Sequence, residues 1–447
     1  MSWLIPHLTI VAIGIVFVIT ASLVLQEHRP PQSTLAWLVF IALLPYVAVP
    51  AFLALGVRKR RAARHLPPMC PIDAPPGLQS LLTGYGIAAP TCGNTISLQT
   101  EGKEAYHAVM DVVAGAQHSI WITLYALGDD PVGRAFCDAL RQRADEGVQV
   151  CLILDWVGAL RRPRQALRAL RHAKGQVCIY SPLLHGPFGG RANLRNHRKM
   201  VIADGTRVWA GGRNIAHDYL GPTPDPTRWQ DLSFILSGPA ASGFCDLFIN
   251  DWRAAGGTAL TCPEEPAEMG QAQMRLLPSG PDTARDPLHD ALIYTCHNAS
   301  QKIWIVTPYF IPTDGLMQAL SMAGRRGLDV RIVVPETSNQ RFADLARGAY
   351  MRGLAADGCR IFMVPDAMVH AKAVLIDDHV FIGSANFDAR SLMLNFELML
   401  MTQDSSTRAQ LEHWVRSLLS QSQEQVPVSR GLRRLIESLV RLTSPML

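Results

Sequence analysis

One eight-residue pattern occurs twice in this chain. His197, Lys199 and Asp204 fit His-x-Lys-x4-Asp, and His370, Lys372 and Asp377 fit it again 173 residues later. In His370-Ala-Lys-Ala-Val-Leu-Ile-Asp377 the His and Lys are two apart, so on a strand they share one face. Asp377 lies five residues beyond Lys372, across the pleat and at the strand end, better placed to brace a turn than to touch a ligand. Asp204-Gly205 and Asp378-His379 supply turn residues. Each copy then reaches small residues and an amide: Gly211, Gly212 and Asn214 in the first, Gly383, Ser384 and Asn386 in the second. The second turn region is one residue shorter, which a tighter hairpin absorbs. A chain that repeats such a signature is constrained to two similar units.

The flanks repeat as well. Ile120-Trp-Ile-Thr123 matches Ile303-Trp-Ile-Val306 as a strand start. Gly147-Val-Gln-Val150 matches Gly327-Leu-Asp-Val330, and Gly175-Gln-Val-Cys-Ile179 matches Gly358-Cys-Arg-Ile361. Each half therefore reads strand, helix, strand, helix, strand, then a hairpin carrying the motif. Strands alternating with helices indicate a layered α/β unit. Paired histidines and lysines suit chemistry on a phosphodiester: one imidazole attacks phosphorus, the other protonates the leaving oxygen, and the lysines hold the phosphate oxygens.

The doubled motif resembles the paired signature of the phospholipase D superfamily. Gly211-Gly-Arg-Asn-Ile215, Thr307-Pro-Tyr-Phe-Ile-Pro312, Gly383-Ser-Ala-Asn-Phe-Asp388, Arg390-Ser391 and Asn395-Phe-Glu397 resemble the bacterial type of cardiolipin synthase. The resemblance implies a duplicated α/β/α sandwich with the active site between the halves. By the family's habit His197 is the nucleophile, forming a phosphatidyl-histidine, and His370 is general acid then base; the residues themselves leave the order open. Lys199 and Lys372 would bind nonbridging oxygens, Asn214, Asn386 and Ser384 would bind or orient, and Asp204 and Asp377 complete the motifs. Asp231 and Glu397, downstream of the motifs, are candidates to hold the second ring nitrogen of each histidine. Gly212 stands where serine is often found. No cofactor or metal is called for, since the lysines supply the positive charge.

Trp3 to Leu25 and Leu35 to Val57 are two apolar runs of 23 residues each. As helix each spans roughly 35 Å, enough for a ~30 Å hydrocarbon core. Arg58, Lys59, Arg60, Arg61 and Arg64 follow at once, and the positive-inside rule places them in the cytoplasm. The competing reading of the first run, a cleaved signal peptide, lacks a basic start and a small-x-small cleavage site. The expected order is a transmembrane hairpin over 1–64, a linker over 65–100, a first half over 101–262, a second over 263–423 and a tail over 424–447. The expected location is the bacterial inner membrane, with the catalytic part cytoplasmic.

Composition narrows the partners. The chain is 48% hydrophobic with net charge +5, which suits anionic lipid as well as nucleic acid. Only six lysines occur, and no run of aromatics lies among basic residues, which counts against nucleic acid. Nine cysteines without a CxxC pair suggest reduced, mostly buried thiols. Two segments have two readings each. Leu432 to Leu442 is amphipathic at helical period, either packed on the body or lying in a membrane interface. Leu183 to Gly190 is either an apolar lip for acyl chains or a glycine-rich loop. The resemblance implies transfer of a phosphatidyl group between two phosphatidylglycerols, with release of glycerol. Hydrolysis or exchange with other alcohols would use the same histidines, and a non-catalytic membrane scaffold would use neither. Oligomeric state is not legible.

Overall fold

A computed structural model describes residues 14, 16–25, 31–55, 76–180, 194–283, 285–429, 431 and 437. Its centre is a 15-stranded sheet. The first half contributes β1 (Thr91–Gln99), β2 (Ser119–Leu124), β3 (Gln149–Asp155), β4 (Gln176–Tyr180), β5 (Met200–Ala203), β6 (Arg207–Gly211) and β7 (Ser233–Ser237). The second contributes β8 (Ala272–Ser279), β9 (Lys302–Val306), β11 (Asp329–Pro335), β12 (Arg360–Val364), β13 (Ala373–Ile376), β14 (His379–Gly383), β16 (Glu397–Thr402) and the short β17 (Gln423–Glu424). A separate parallel pair joins β10 (Phe310–Ile311) to β15 (Phe387–Asp388).

Outward from the middle, the first half runs β1-β7-β6-β5-β2-β3-β4 and the second β8-β16-β14-β13-β9-β11-β12. The orders correspond strand for strand, so the sequence repeat is a structural one. Within each half three strands are parallel, β2-β3-β4 and β9-β11-β12, and the motif hairpin pairs antiparallel beside them. Helices join the parallel strands, as a parallel pairing requires. Gly147 and Gly327 end two of these helices at positive φ, 94° and 81°, a conformation in which a Cβ would be strained.

The halves meet at β1 and β8, which pair antiparallel through Thr91↔Met274 and Asn94↔Ala272 with a register shift between. Asn94 fills the irregularity. Its Nδ2 donates to the carbonyls of Thr91 and Ala272, at 2.8 and 3.1 Å, and its Oδ1 accepts from the Ala240 N–H. The segment expected to be a linker therefore holds a helix (Leu78–Gly84) and a strand at the middle of the sheet. Its alternation is broken by Cys92-Gly93-Asn94, which hid the strand.

Three apolar layers cover the sheet. One core packs Ala241–Ala254 and Ser405–Ser420 against strands of both halves, from Trp121 and Met200 to Trp304 and Leu400. The opposite face is covered separately in each half, by Gly102–Gly115, Pro131–Asp145 and Arg164–His172 in the first. Pro287–Asn298, Asp314–Arg325 and Arg341–Ala356 cover it in the second. The shared core makes the halves one folding unit on one face and two on the other.

Near the N-terminus, Pro31–Leu43 and Pro45–Leu55 are helical, interrupted at Leu44, and Val24 packs with Trp37, Ile41, Ala48 and Phe52. Among the described residues no helix is long and apolar enough to cross a membrane. Much of the first expected span, residues 26–30 of the turn Gln26 to Thr34 and the basic cluster after the second span lie outside the described residues; the rest of that turn, Pro31 to Thr34, opens a helix. So do Leu183 to Gly190 and nearly all of the amphipathic tail. Of that tail, Glu437 is buried and pairs with Arg352 at 2.5 Å, so at this point the chain packs on the body. The eight described cysteines are free; five are buried, Cys178 is half-buried, and Cys92 and Cys262 are exposed.

Candidate active site

Both motifs lie where the halves interlock. The backbone N–H of His197 donates to the Phe396 carbonyl at 2.9 Å, and the Phe396 N–H to the Arg195 carbonyl. In mirror fashion the His370 N–H donates to the Gln230 carbonyl at 2.7 Å, and the Gln230 N–H to that of Met368. Each histidine is thus carried by one half and anchored, main chain first, by the other.

The side chains cross in the same way. His197 Nδ1 lies 2.9 Å from Glu397 Oε1, and His370 Nδ1 lies 2.7 Å from Asp231 Oδ2. With Nδ1 engaged, Nε2 of His197 is the ring nitrogen left for chemistry, and Nε2 of His370 faces Lys372 Nζ at 3.1 Å. Ser384 donates to Glu397 Oε2 at 2.6 Å, so this serine orients the carboxylate. Its counterpart is Gly212, where a Cβ would come within 2.2 Å of Asp231 Oδ1. The glycine makes room for an aspartate that reaches His370, while the serine supports the longer glutamate.

Lys199 Nζ donates to the His197 carbonyl at 2.6 Å, and Lys372 Nζ lies against the His370 ring and donates to its carbonyl. Burial depresses both lysines, to about 7 for Lys199 and about 8 for Lys372, and Lys372 adds repulsion at Lys199. Burial likewise lowers His197, and lowers His370 to about 3 with help from the Lys372 charge. The carboxylates go the other way. Burial would raise Asp231, but Lys372 and His370 prevail and hold it at about 2; Glu397 is held below its usual range by His197, Lys199 and Ser384. The site therefore contains neutral imidazoles oriented by carboxylates, beside two buried lysines whose charged forms are disfavoured.

Asn214 and Asn386 are both buried. Asn214 Oδ1 accepts from the Ala126 N–H at 3.1 Å, whereas Asn386 Oδ1 has no partner among the described residues. Asp204 and Asp377 sit elsewhere, at the far ends of β5 and β13. Asp204 accepts from the N–H groups of Gln117, His118 and Ser119, and Asp377 from those of Ser300, Gln301 and Lys302. Grouped with the catalytic residues by the motif, they instead pin the starts of β2 and β9. The one-residue difference between hairpins is absorbed in the turns: Ala203 pairs with Arg207, and Ile376 with His379.

Several neighbours were not legible in the sequence. Tyr125 packs edge-on against His197 at 4.8 Å, and Tyr219 and Trp229 flank His370 at 5.0 and 5.3 Å. Tyr125 follows β2 directly, while in the second half a tyrosine, Tyr309, comes three residues past β9. Arg198, the residue between His197 and Lys199, points the opposite way. It is fully buried, bonds Asp251 at 2.8 Å and the Glu397 carbonyl at 3.2 Å, and approaches Asp282 of the second half at 3.5 Å. Among the described residues no group of three or more His, Cys, Asp or Glu side chains is arranged to hold a metal ion.

Comparison with known proteins bears on this geometry. A family model described as "Cardiolipin synthase, PLD-like domain" matches residues 109–252 and 292–419, one stretch in each half. A Bacillus anthracis protein named cardiolipin synthase 2 is 31% identical over 457 residues, covering 94% of this chain and 88% of its own length. Cardiolipin synthase A of Pseudomonas entomophila is 30% identical over 450 residues, covering 94% of both. The crystal structure of a Haemophilus influenzae phosphatidylserine synthase superposes with a TM-score of 0.61 at 14% identity, over 83% of this chain and 97% of the other, a likeness of fold.

Proposed function

The chain belongs to the cardiolipin synthases of the phospholipase D-like family, and on that premise we propose that it joins two phosphatidylglycerols into cardiolipin and glycerol. Relatedness along nearly the whole length to proteins of that name carries this reading. The observation that supports the mechanism is the crossed pair of histidine–carboxylate contacts, His197 with Glu397 and His370 with Asp231.

In this account Nε2 of His197 attacks phosphorus of the first lipid. The bond from phosphorus to the glycerol oxygen breaks, and His370 gives that oxygen a proton. The second phosphatidylglycerol then loses a hydroxyl proton to His370 and attacks the same phosphorus, freeing His197. Lys199 and Lys372 hold the nonbridging oxygens throughout, and Asn386 offers its amide. The bound phosphate brings further negative charge to the two lysines. Its charge favours the cationic forms of lysine and histidine, so His370 becomes competent as an acid only when substrate is present. Asp231 and Glu397 fix ring orientation and stabilise each imidazolium as it forms.

The membrane reading is supported by apolar surface on the N-terminal helices. Val18, Leu25, Leu43, Tyr46 and Val47 are each more than half exposed, which suits lipid rather than water as their surrounding. With the arginine-rich stretch Arg58–Arg64 behind them, these segments form a two-span anchor that leaves the catalytic body cytoplasmic.

The direct test uses the solubilised full-length protein and labelled phosphatidylglycerol as sole lipid. Equal yields of cardiolipin and glycerol are expected, abolished by His197→Ala. Phosphatidic acid as the main product would reassign the enzyme as a hydrolase.

A further inference from the structure

Between Asp155 and Asp204 the sequence contains no acidic residue, yet it contains ten arginines and lysines. That stretch alone exceeds the +5 of the whole chain and leaves the remainder net acidic. Three of the ten, Arg195, Arg198 and Lys199, belong to the motif segment that leads into β5. Five others, Arg161, Arg162, Arg164, Arg168 and Arg171, sit together on the loop that follows β3 and on the helix Arg164–His172. That helix buries Leu167 and Leu170 and turns Arg164, Arg168 and Arg171 outward. Burial and then the charges of Arg164 and Arg171 depress Arg162, which marks a cluster of like charges. Among the described residues none of the five forms a salt bridge.

Apolar side chains protrude through the same loop. Leu160 is 51% exposed and Val157 37%. The loop after β11, its counterpart in the second half, leads to Phe342 at 66% exposure, preceded by the exposed Arg341. The first of these loops borders the reaction centre. Gly158 presses so closely on Tyr125 that a Cβ would come within 2.1 Å of the Tyr125 carbonyl oxygen, and Tyr125 packs on His197. Asn339 of the second loop accepts a hydrogen bond from Tyr309, just past β9.

We propose that the loop Trp156–Pro163 and the arginine face of the helix behind it form a docking surface for an anionic bilayer, with Leu160 and Phe342 entering the interface. The surface seats the active-site mouth on the membrane, independently of the N-terminal anchor, and it rests on the lipid-transfer reading above. Unpaired arginines attract anionic headgroups, and exposed aliphatic and aromatic tips gain by leaving water. Nucleic acid offers the same charge but no apolar phase to receive Leu160 and Val157.

The test uses the full chain in mixed micelles of nonionic detergent and phosphatidylglycerol, with glycerol release as readout. Two variants are compared with wild type: Leu160→Ser with Phe342→Ser, and Arg161→Glu with Arg164→Glu and Arg168→Glu. Each should raise the half-saturating mole fraction of phosphatidylglycerol about ten-fold while keeping the wild-type rate at saturation. A long-chain alkyl sulfonate, anionic but without phosphorus, should activate wild type at limiting phosphatidylglycerol and fail to activate the arginine variant. Unchanged half-saturation, equal sulfonate responses, or loss confined to the saturated rate would each overturn the proposal. Oligonucleotide binding lost in the arginine variant, with the sulfonate response intact, would assign the patch to nucleic acid. Failure of the wild-type protein to release glycerol at any mole fraction would instead defeat the transferase reading itself.

Discussion

At the scale of residues, the two histidines differ in how their carboxylates are held. Glu397 leans on the Ser384 hydroxyl, whereas Asp231 occupies space that only glycine at 212 leaves open. Gly212→Ala should therefore displace Asp231 and loosen its hold on His370. We expect kcat to fall ten-fold or more, roughly in line with loss of an orienting group for general acid–base catalysis, with KM little changed; steady-state kinetics checks this. The depressed lysines give a second expectation. Their charged forms prevail below about 7 and 8 in the free enzyme, so kcat/KM should decline as pH rises through that range. Bound phosphate raises both values, so the alkaline limb of kcat should lie at higher pH. Coincident limbs in the two profiles would contradict the electrostatic picture. The motif residues and both carboxylates were legible as residue types. The aromatic neighbours were not, because a tyrosine after an apolar strand looks the same whether it faces solvent, core or an imidazole.

Elements explain why the motif aspartates occur in every copy without lining the site. Asp377 ties the hairpin turn to the start of β9 through three backbone N–H groups, and Asp204 does so for β2. Asp377→Ala leaves those donors to water or unpaired, a cost of about 1–3 kcal/mol. It should lower the thermal midpoint of the solubilised protein while the folded fraction keeps its turnover; loss of turnover without loss of stability would argue for a role in the chemistry. The strands of the repeat were readable because β2 and β9, β3 and β11, and β4 and β12 share local patterns. The edge between the halves was not. The first strand of the first half begins Thr91-Cys-Gly-Asn, too irregular to read as β, and its irregularity is met by Asn94, whose partners lie some 150 to 180 residues away in sequence.

For the whole molecule, duplication is what makes the chemistry available. One half presents a histidine and lacks the carboxylate that holds it; the other half supplies that carboxylate in exchange. This exchange involves contacts 139 and 200 residues apart, which no periodicity encodes. It also gives the two histidines related surroundings, so their roles must be separated by experiment. The most direct measurement is a rapid mix of the protein with phosphorus-labelled phosphatidylglycerol, stopped in alkaline denaturant and mapped by peptide. The account predicts label on the peptide containing His197, absent in His197→Ala and formed more slowly in His370→Ala. Label on the His370 peptide would reverse the two roles. Cardiolipin formation with no covalent label on either histidine would contradict the relay.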